Sequence, residues 1–328
     1  MAIVDLARLD AAGFSALYKA RIEPLLTEAE GQRLATMQVY KQRLTWGLPA
    51  AAALGALVYV FFQALVPALI VGGLAAVAAY GYAQHPLGKL GVRVKGQALT
   101  ALAQAIGAAY EQLGRPDGLI ERFRELQLLP GYDRANFEDW FHGERLGCGF
   151  DMFEGHLENE HRDEDGDRDW VTVFRGQIIR IQFPKEFHGV TVVRRDGGIF
   201  NGLGRWASKL EHVGFADPTF ERKFEVFSSD QVEARVLVHP VFAERLLELE
   251  QRFDGHNLRC GFQGGELLIC VEAKNRFEIG DMTKPLTDPA RAQVIVEDMG
   301  AVLRVMDAVL TAEQATLLRH QQQRDDRA

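Results

Sequence analysis

The side chains most suited to chemistry lie in one run, His156-Leu157-Glu158-Asn159-Glu160-His161, which continues in charged residues to Asp169. On a strand His156, Glu158 and Glu160 share one face, and an imidazole with two carboxylates is a donor set for a divalent ion. A metal-dependent hydrolase would use Glu158 or Glu160 as its base. The run fails as a calcium loop: counted from Asp163, Arg168 stands at the sixth position in place of glycine, and Phe174 at the twelfth in place of glutamate. The preferred reading is a solvated hairpin tip turning at Asp165-Gly166. Gly202-Leu203-Gly204-Arg205-Trp206-Ala207 has the spacing of a degenerate dinucleotide loop, but no strand-helix-strand unit surrounds it, and it reads as a glycine-rich loop. Ser228-Ser229-Asp230-Gln231 reads as a turn held by side-chain hydrogen bonds, His188 as a loop residue and His239 as a helix start. No phosphate loop, H-E-x-x-H or G-x-S-x-G motif is present, and no cofactor is expected.

The elements that must position these residues divide sharply by polarity. From Leu44 to Gly88 run 45 residues without Asp, Glu, Lys or Arg. A bilayer core of about 30 Å takes roughly 20 helical residues, so the stretch suits two passes, Trp46–Gln63 and Leu65–Ala83, with a tight turn between them. It begins too late and runs too long for a signal peptide. Ala51 and Gly55 on the first span, and Gly72 and Ala76 on the second, give each helix a small face for close membrane packing. Trp46, Tyr80 and Tyr82 fall at interface depth. Lys41 and Arg43 before the hairpin, and Lys89, Arg93 and Lys95 after it, place both termini in the cytoplasm. The competing reading is a hairpin buried in a soluble core.

The fold class expected is α+β: an N-terminal helix and a two-span transmembrane hairpin, then a cytoplasmic domain with a mainly antiparallel sheet and packed helices. The segments are 1–44 (helical, with a kink at Pro24), 45–85 (hairpin), 86–128 (helical connector), 129–320 (α+β domain) and 321–328 (a polar, frayed tail). The connector helix is expected to carry Leu99, Leu102, Ile106, Tyr110 and Leu113 on one side, with a short second helix over Leu119–Leu128. Strands are expected at Gly149–Arg162, Trp170–Phe183, Gly189–Arg195, Lys223–Phe227 and Val232–Val238. A helix then starts at Pro240, and a hairpin turns at Gly264-Gly265, pairing Phe262 with Leu267 and Cys260 with Ile269. That register sends Cys260 and Cys270 to opposite faces. Asp288-Pro289 starts the last helix. The three cysteines are too few for a disulfide framework and suit a reducing compartment. With 37 basic and 45 acidic side chains the net charge is -8, which argues against a nucleic-acid partner.

Three stretches resemble the bacterial family labelled domain of unknown function 3137. They are Leu128-Leu129-Pro130-Gly131-Tyr132-Asp133 with Glu138-Asp139 and Gly143; Phe174-Arg175-Gly176 with Phe183 to Gly189; and Phe220 to Arg235. The resemblance implies an N-terminal helix and two membrane spans ahead of an α+β domain, and an association with LemA-type membrane proteins. It implies no catalytic residues. The expected function is an inner-membrane protein that presents an interaction or scaffold module to another protein or to itself, surrounded by membrane lipid. The alternatives are the metal-dependent hydrolase and an envelope-stress or lipid sensor.

Overall fold

The computed structural model describes residues 4–114, 118–162, 168–183, 186–195, 210–215, 217–278 and 280–325. Two compact units interleave along the chain: one comprises 15–102 with 278–293, the other 1–14, 103–277 and 294–328.

The first unit is a helical hairpin. After α1 (Ala11–Leu17) comes one π-helical stretch, Tyr18–Ile22, and then α2 (Glu23–Phe62). Pro24 follows the π-helical residues directly, and the backbone stays right-handed helical across Ile22 and Glu23, so the missing Pro24 N–H falls where the helix changes from the π to the α pattern. Gln63 takes a left-handed conformation (φ 49°) and ends α2, and α3 (Leu65–Ala105) starts two residues later. Both helices are long and apolar enough to cross a membrane, and only 11% and 6% of their most apolar windows are buried. A soluble core hairpin would bury them. Residues 278–293 lie along the same unit. Arg33 donates to the carbonyls of Met282 (3.3 Å) and Thr283 (3.4 Å), Glu30 accepts the Leu286 N–H (2.9 Å), and Lys95 pairs with Glu278 (3.0 Å).

The second unit is built on a nine-stranded antiparallel sheet in the order β1-β2-β3-β4-β9-β8-β5-β7-β6. Its strands are β1 (Ala108–Glu111), β2 (Arg134–Arg145), β3 (Cys148–Arg162), β4 (Arg168–Gln182), β5 (Thr191–Arg195), β6 (Glu211–His212), β7 (Phe224–Ser228), β8 (His256–Gln263) and β9 (Glu266–Glu272). The helices are α4 (Leu119–Glu125), α5 (Pro218–Glu221), α6 (Gln231–Leu237), α7 (Pro240–Arg252) and α8 (Pro289–Asp325). Phe123 of α4 is fully buried in a cluster with Phe153, Phe174, Ile178 and Cys270 on one sheet face. On the other face Phe242 of α7 packs edge-on against Phe262 (centroids 5.4 Å). α7 and α8 are tied by Arg252–Asp298 (3.0 Å) and Arg304–Glu248 (2.7 Å). Burial pushes the Asp298 carboxyl above its usual range, against the pull of Arg276 and Arg252. The N-terminal residues belong to this unit: Leu6 is buried, Val4 N–H bonds the Ala105 carbonyl (2.7 Å), and Asp5 meets Arg145 (2.8 Å).

The β8–β9 turn has the expected register, Phe262 opposite Leu267 and Cys260 opposite Ile269, with both thiols buried and unbonded. Two expectations are corrected. Residues 232–238 are helix, because the Asp230 side chain accepts the N–H groups of Val232 and Glu233 and caps α6. Tyr110 lies on β1 and the connector helix stops before Gly107 (φ 75°), although the three-four spacing continues past it. The polar residues Gln321–Asp325 continue α8.

His239 caps α7, its Nδ1 accepting the Phe242 N–H at 3.3 Å. Burial lowers its pKa from 6.5, opposed by the Ala308 carbonyl. The unfolded chain therefore takes up a proton that the folded chain resists, so His239 contributes stability above pH 6.5 that is lost as the pH falls below it. The thermal midpoint is expected to fall between about pH 7.5 and about pH 5.5, and to fall less in His239→Asn, which keeps a capping group. Equal slopes in the two proteins would remove His239 from the account.

Candidate functional site

Two regions hold the residues singled out in the sequence. In the hairpin, a seam of small residues joins α2 to α3. A Cβ built on Gly47 would meet the Ala79 Cβ at 3.0 Å, and one on Gly55 would meet the Ala68 carbonyl oxygen at 3.0 Å and the Gly72 Cα at 3.2 Å. Ala51 is buried and its carbonyl faces Gly72, while Ala76 is half-buried. Gly73 and Gly81, on the same helix as Gly72, have nothing within 4 Å of a Cβ.

At the base of this seam, Arg43 answers a fault in α3. Pro86 has no N–H, so the Tyr82 carbonyl four residues earlier lacks its helical donor. Arg43 Nη1 donates to that carbonyl at 2.8 Å, and the guanidinium sits 4.0 Å over the Tyr82 ring. Sequence reading assigned Arg43 only to the flanking positive charge, since nothing in the linear chain pairs it with Pro86. Arg43→Ala is expected to weaken helix pairing by about 0.5–1.5 kcal/mol, the usual net worth of one hydrogen bond, with Arg43→Lys between. Forced-dissociation measurements on the hairpin in bicelles would read it; no change in Arg43→Ala would show that water replaces the donor.

The second region is the polar sheet face at β2, β3 and β4. His156, Glu158 and Glu160 do share a face of β3, but each carboxylate is engaged by arginine. Arg134 Nε binds Glu158 at 2.6 Å, and Arg168 meets Glu160 at 3.1 Å. The hydrogen bond from Arg134 holds the Glu158 carboxyl below its usual range. His156 Nε2 lies 2.9 Å from Thr172 Oγ1 and 3.9 Å from Glu158. Among the described residues no three His, Cys, Asp or Glu side chains are grouped to hold a metal ion. The expected turn at Asp165-Gly166 and the loop Gly202–Ala207 lie outside the described residues.

Beside this face lies a cavity of about 50 Å³ lined by Glu138, Glu154, His156, Arg175 and Lys274 among others. Glu154 is buried and accepts from Gln177 Nε2 (2.6 Å) and Arg276 N (2.8 Å). Gly176 makes this corner possible: a Cβ there would stand 1.9 Å from the Val271 carbonyl oxygen. The site is a hydrogen-bonding surface on which the β3 carboxylates are paired with arginines, and among the described residues it aligns no general base with a nucleophile.

The Ser228–Gln231 turn is structural. Ser229 Oγ accepts the Val190 N–H (2.9 Å), Thr191 and Ser228 hydroxyls meet at 2.9 Å, and Glu233 accepts the N–H groups of His188 (2.9 Å) and Gly189 (2.8 Å).

The chain thus combines two helices long and apolar enough to cross a membrane with an antiparallel α+β unit. Residues 172–310 match the family described as Protein of unknown function (DUF3137). Two of the three motif stretches quoted above fall within the match. No curated protein matches the chain. Among solved structures, the crystal structure of the mycobacterial trehalose monomycolate transport factor A, TtfA, is similar at 15% identity and a TM-score of 0.33, covering 65% of this chain and 96% of that one.

Proposed function

We propose that this is a bacterial inner-membrane protein whose α2–α3 hairpin crosses the bilayer twice. Both termini are cytoplasmic, and the α+β unit is a non-enzymatic module that binds another protein or a second copy of itself. The observation that carries the reading is the exposure of side chains such as Phe61 (77%) and Val77 (71%) on helices packed through small residues. Lipid is the environment that makes this stable. Basic residues on both flanks and an uncharged turn favour the orientation. The pairing of Glu158 and Glu160 with arginines weighs against a metal-dependent hydrolase.

The test is crosslinking in native membranes followed by purification of the intact protein in nanodiscs, with LemA-type proteins among those sought. A partner or homo-oligomer in fixed stoichiometry is expected. A lone monomer that retains a divalent metal and hydrolyses a substrate would contradict the reading.

A further inference from the structure

β4 is longer than the strand beside it. Residues 176–182 pair with β9, but Arg168–Arg175 pair with β3 alone, since β9 ends at Glu272. There the chain turns off, its Ala273 N–H bonding the Arg175 carbonyl at 3.0 Å. Among the described residues no strand fills the lane beyond. The Trp170 N–H is met only by its neighbour's carboxylate, Asp169 Oδ1, at 2.8 Å. Trp170 and Val171 are 37% and 48% exposed along this edge. An unpaired strand edge bearing exposed apolar side chains is a template for another extended chain.

The inner end of the lane opens into a cavity of about 520 Å³ between Thr172–Arg175 and Ala273–Asn275. Arg175 and Lys274 line it, and among the described residues neither has a carboxylate partner. The nearby carboxylates are engaged elsewhere: Glu272 by Arg259 at 3.0 Å, Glu154 by Gln177 Nε2 and the Arg276 N–H, and Glu138 by Asn136 Nδ2. Two unpaired cations at one end of a vacant lane select negative charge there. A strand running parallel to β4 arrives at that end with its C-terminus, whereas an antiparallel one would bring its ammonium group.

We propose that an extended protein segment adds to the sheet along Arg168–Arg175, parallel to β4, with its C-terminal carboxylate held by Arg175 and Lys274. This rests on the protein-binding reading above and gives it an address. The probe is a random octapeptide library with free C-termini, and the same library amidated, each selected on the full-length protein in nanodiscs. Free-acid peptides are enriched and amidated ones are not. Arg175→Glu and Lys274→Glu each weaken the selected peptides about tenfold or more, the size of a lost charge-assisted hydrogen bond, without shifting the unfolding midpoint. Trp170→Pro, which removes an edge N–H, abolishes binding.

No enrichment, equal enrichment of amidated peptides, or binding untouched by these variants overturns the site. The crosslinking experiment fails or succeeds separately, so a partner captured there while the edge variants bind it normally leaves the module and removes this address.

Discussion

Gly55→Leu and Gly72→Leu are each expected to remove most of the protein from the membrane, while the oligomeric state of what remains is unchanged. A single Cβ at Gly55 already stands 3.0 Å from the Ala68 carbonyl oxygen and 3.2 Å from the Gly72 Cα. Both neighbours are backbone, which cannot rotate aside. Leucine adds three further carbons in a seam whose ends are fixed, by the two-residue break at Gln63 on one side and by Arg43 on Tyr82 on the other. Overpacking a fitted interface costs about 1–3 kcal/mol even for smaller insertions, and here the helices must separate. Gly73→Leu is the control, because its Cβ meets nothing within 4 Å. Quantitative immunoblotting of membranes, with native gels in mild detergent, reads both quantities. Normal abundance with dissociated oligomers would assign the seam to contacts between chains.

Gly176→Ala is expected to be nearly as severe in the α+β unit. The added methyl would lie 1.9 Å from the Val271 carbonyl oxygen, 2.8 Å from the Ala273 nitrogen and 2.9 Å from the Glu272 Cα. β4 and β9 pair at this point, Gly176 opposite Glu272, so the methyl forces the central strands apart. A loss above about 4 kcal/mol is expected, at the exceptional end for a point substitution and enough to prevent folding of many domains. Gly131→Ala, in another of the family-like stretches, meets nothing within 4 Å and leaves stability unchanged. Near-UV circular dichroism and thermal unfolding separate the outcomes; parent-like unfolding of Gly176→Ala would refute the close approach of the strands.

What the linear sequence made visible followed physical demands that are themselves local. An uncharged run of 45 residues is long enough for two apolar helices, and the Gly264-Gly265 turn sets the pairing of the residues next to it, so the hairpin and the β8–β9 register were readable. Val232, Val236 and Val238 invited a strand because they are β-branched, and the cap at Asp230 decided for helix. β2 was missing from the expected strands: its first residues, Arg134, Ala135 and Asn136, are exposed and give no apolar alternation. Spacing placed His156, Glu158 and Glu160 on one face, but Arg134 and Arg168, which occupy the carboxylates, reach them only through the sheet register. The contacts of residues 278–293 along the hairpin, and of Leu6 with the sheet unit, join positions more than 90 residues apart. No periodicity records such contacts.

The orientation of the hairpin is the central claim, and cysteine labelling tests it directly. The three native thiols are buried; burial pushes Cys270 up to about 12 and Cys260 higher still, so they react little with maleimides. Single cysteines at Ala64 in the turn, Leu34 on α2 and Val232 on α6 occupy the turn or exposed positions. With a membrane-impermeant maleimide on intact spheroplasts, Ala64→Cys should be labelled at once, and Leu34→Cys and Val232→Cys only after permeabilisation. Labelling of Val232→Cys in intact spheroplasts, or protection of Ala64→Cys there, would contradict the account.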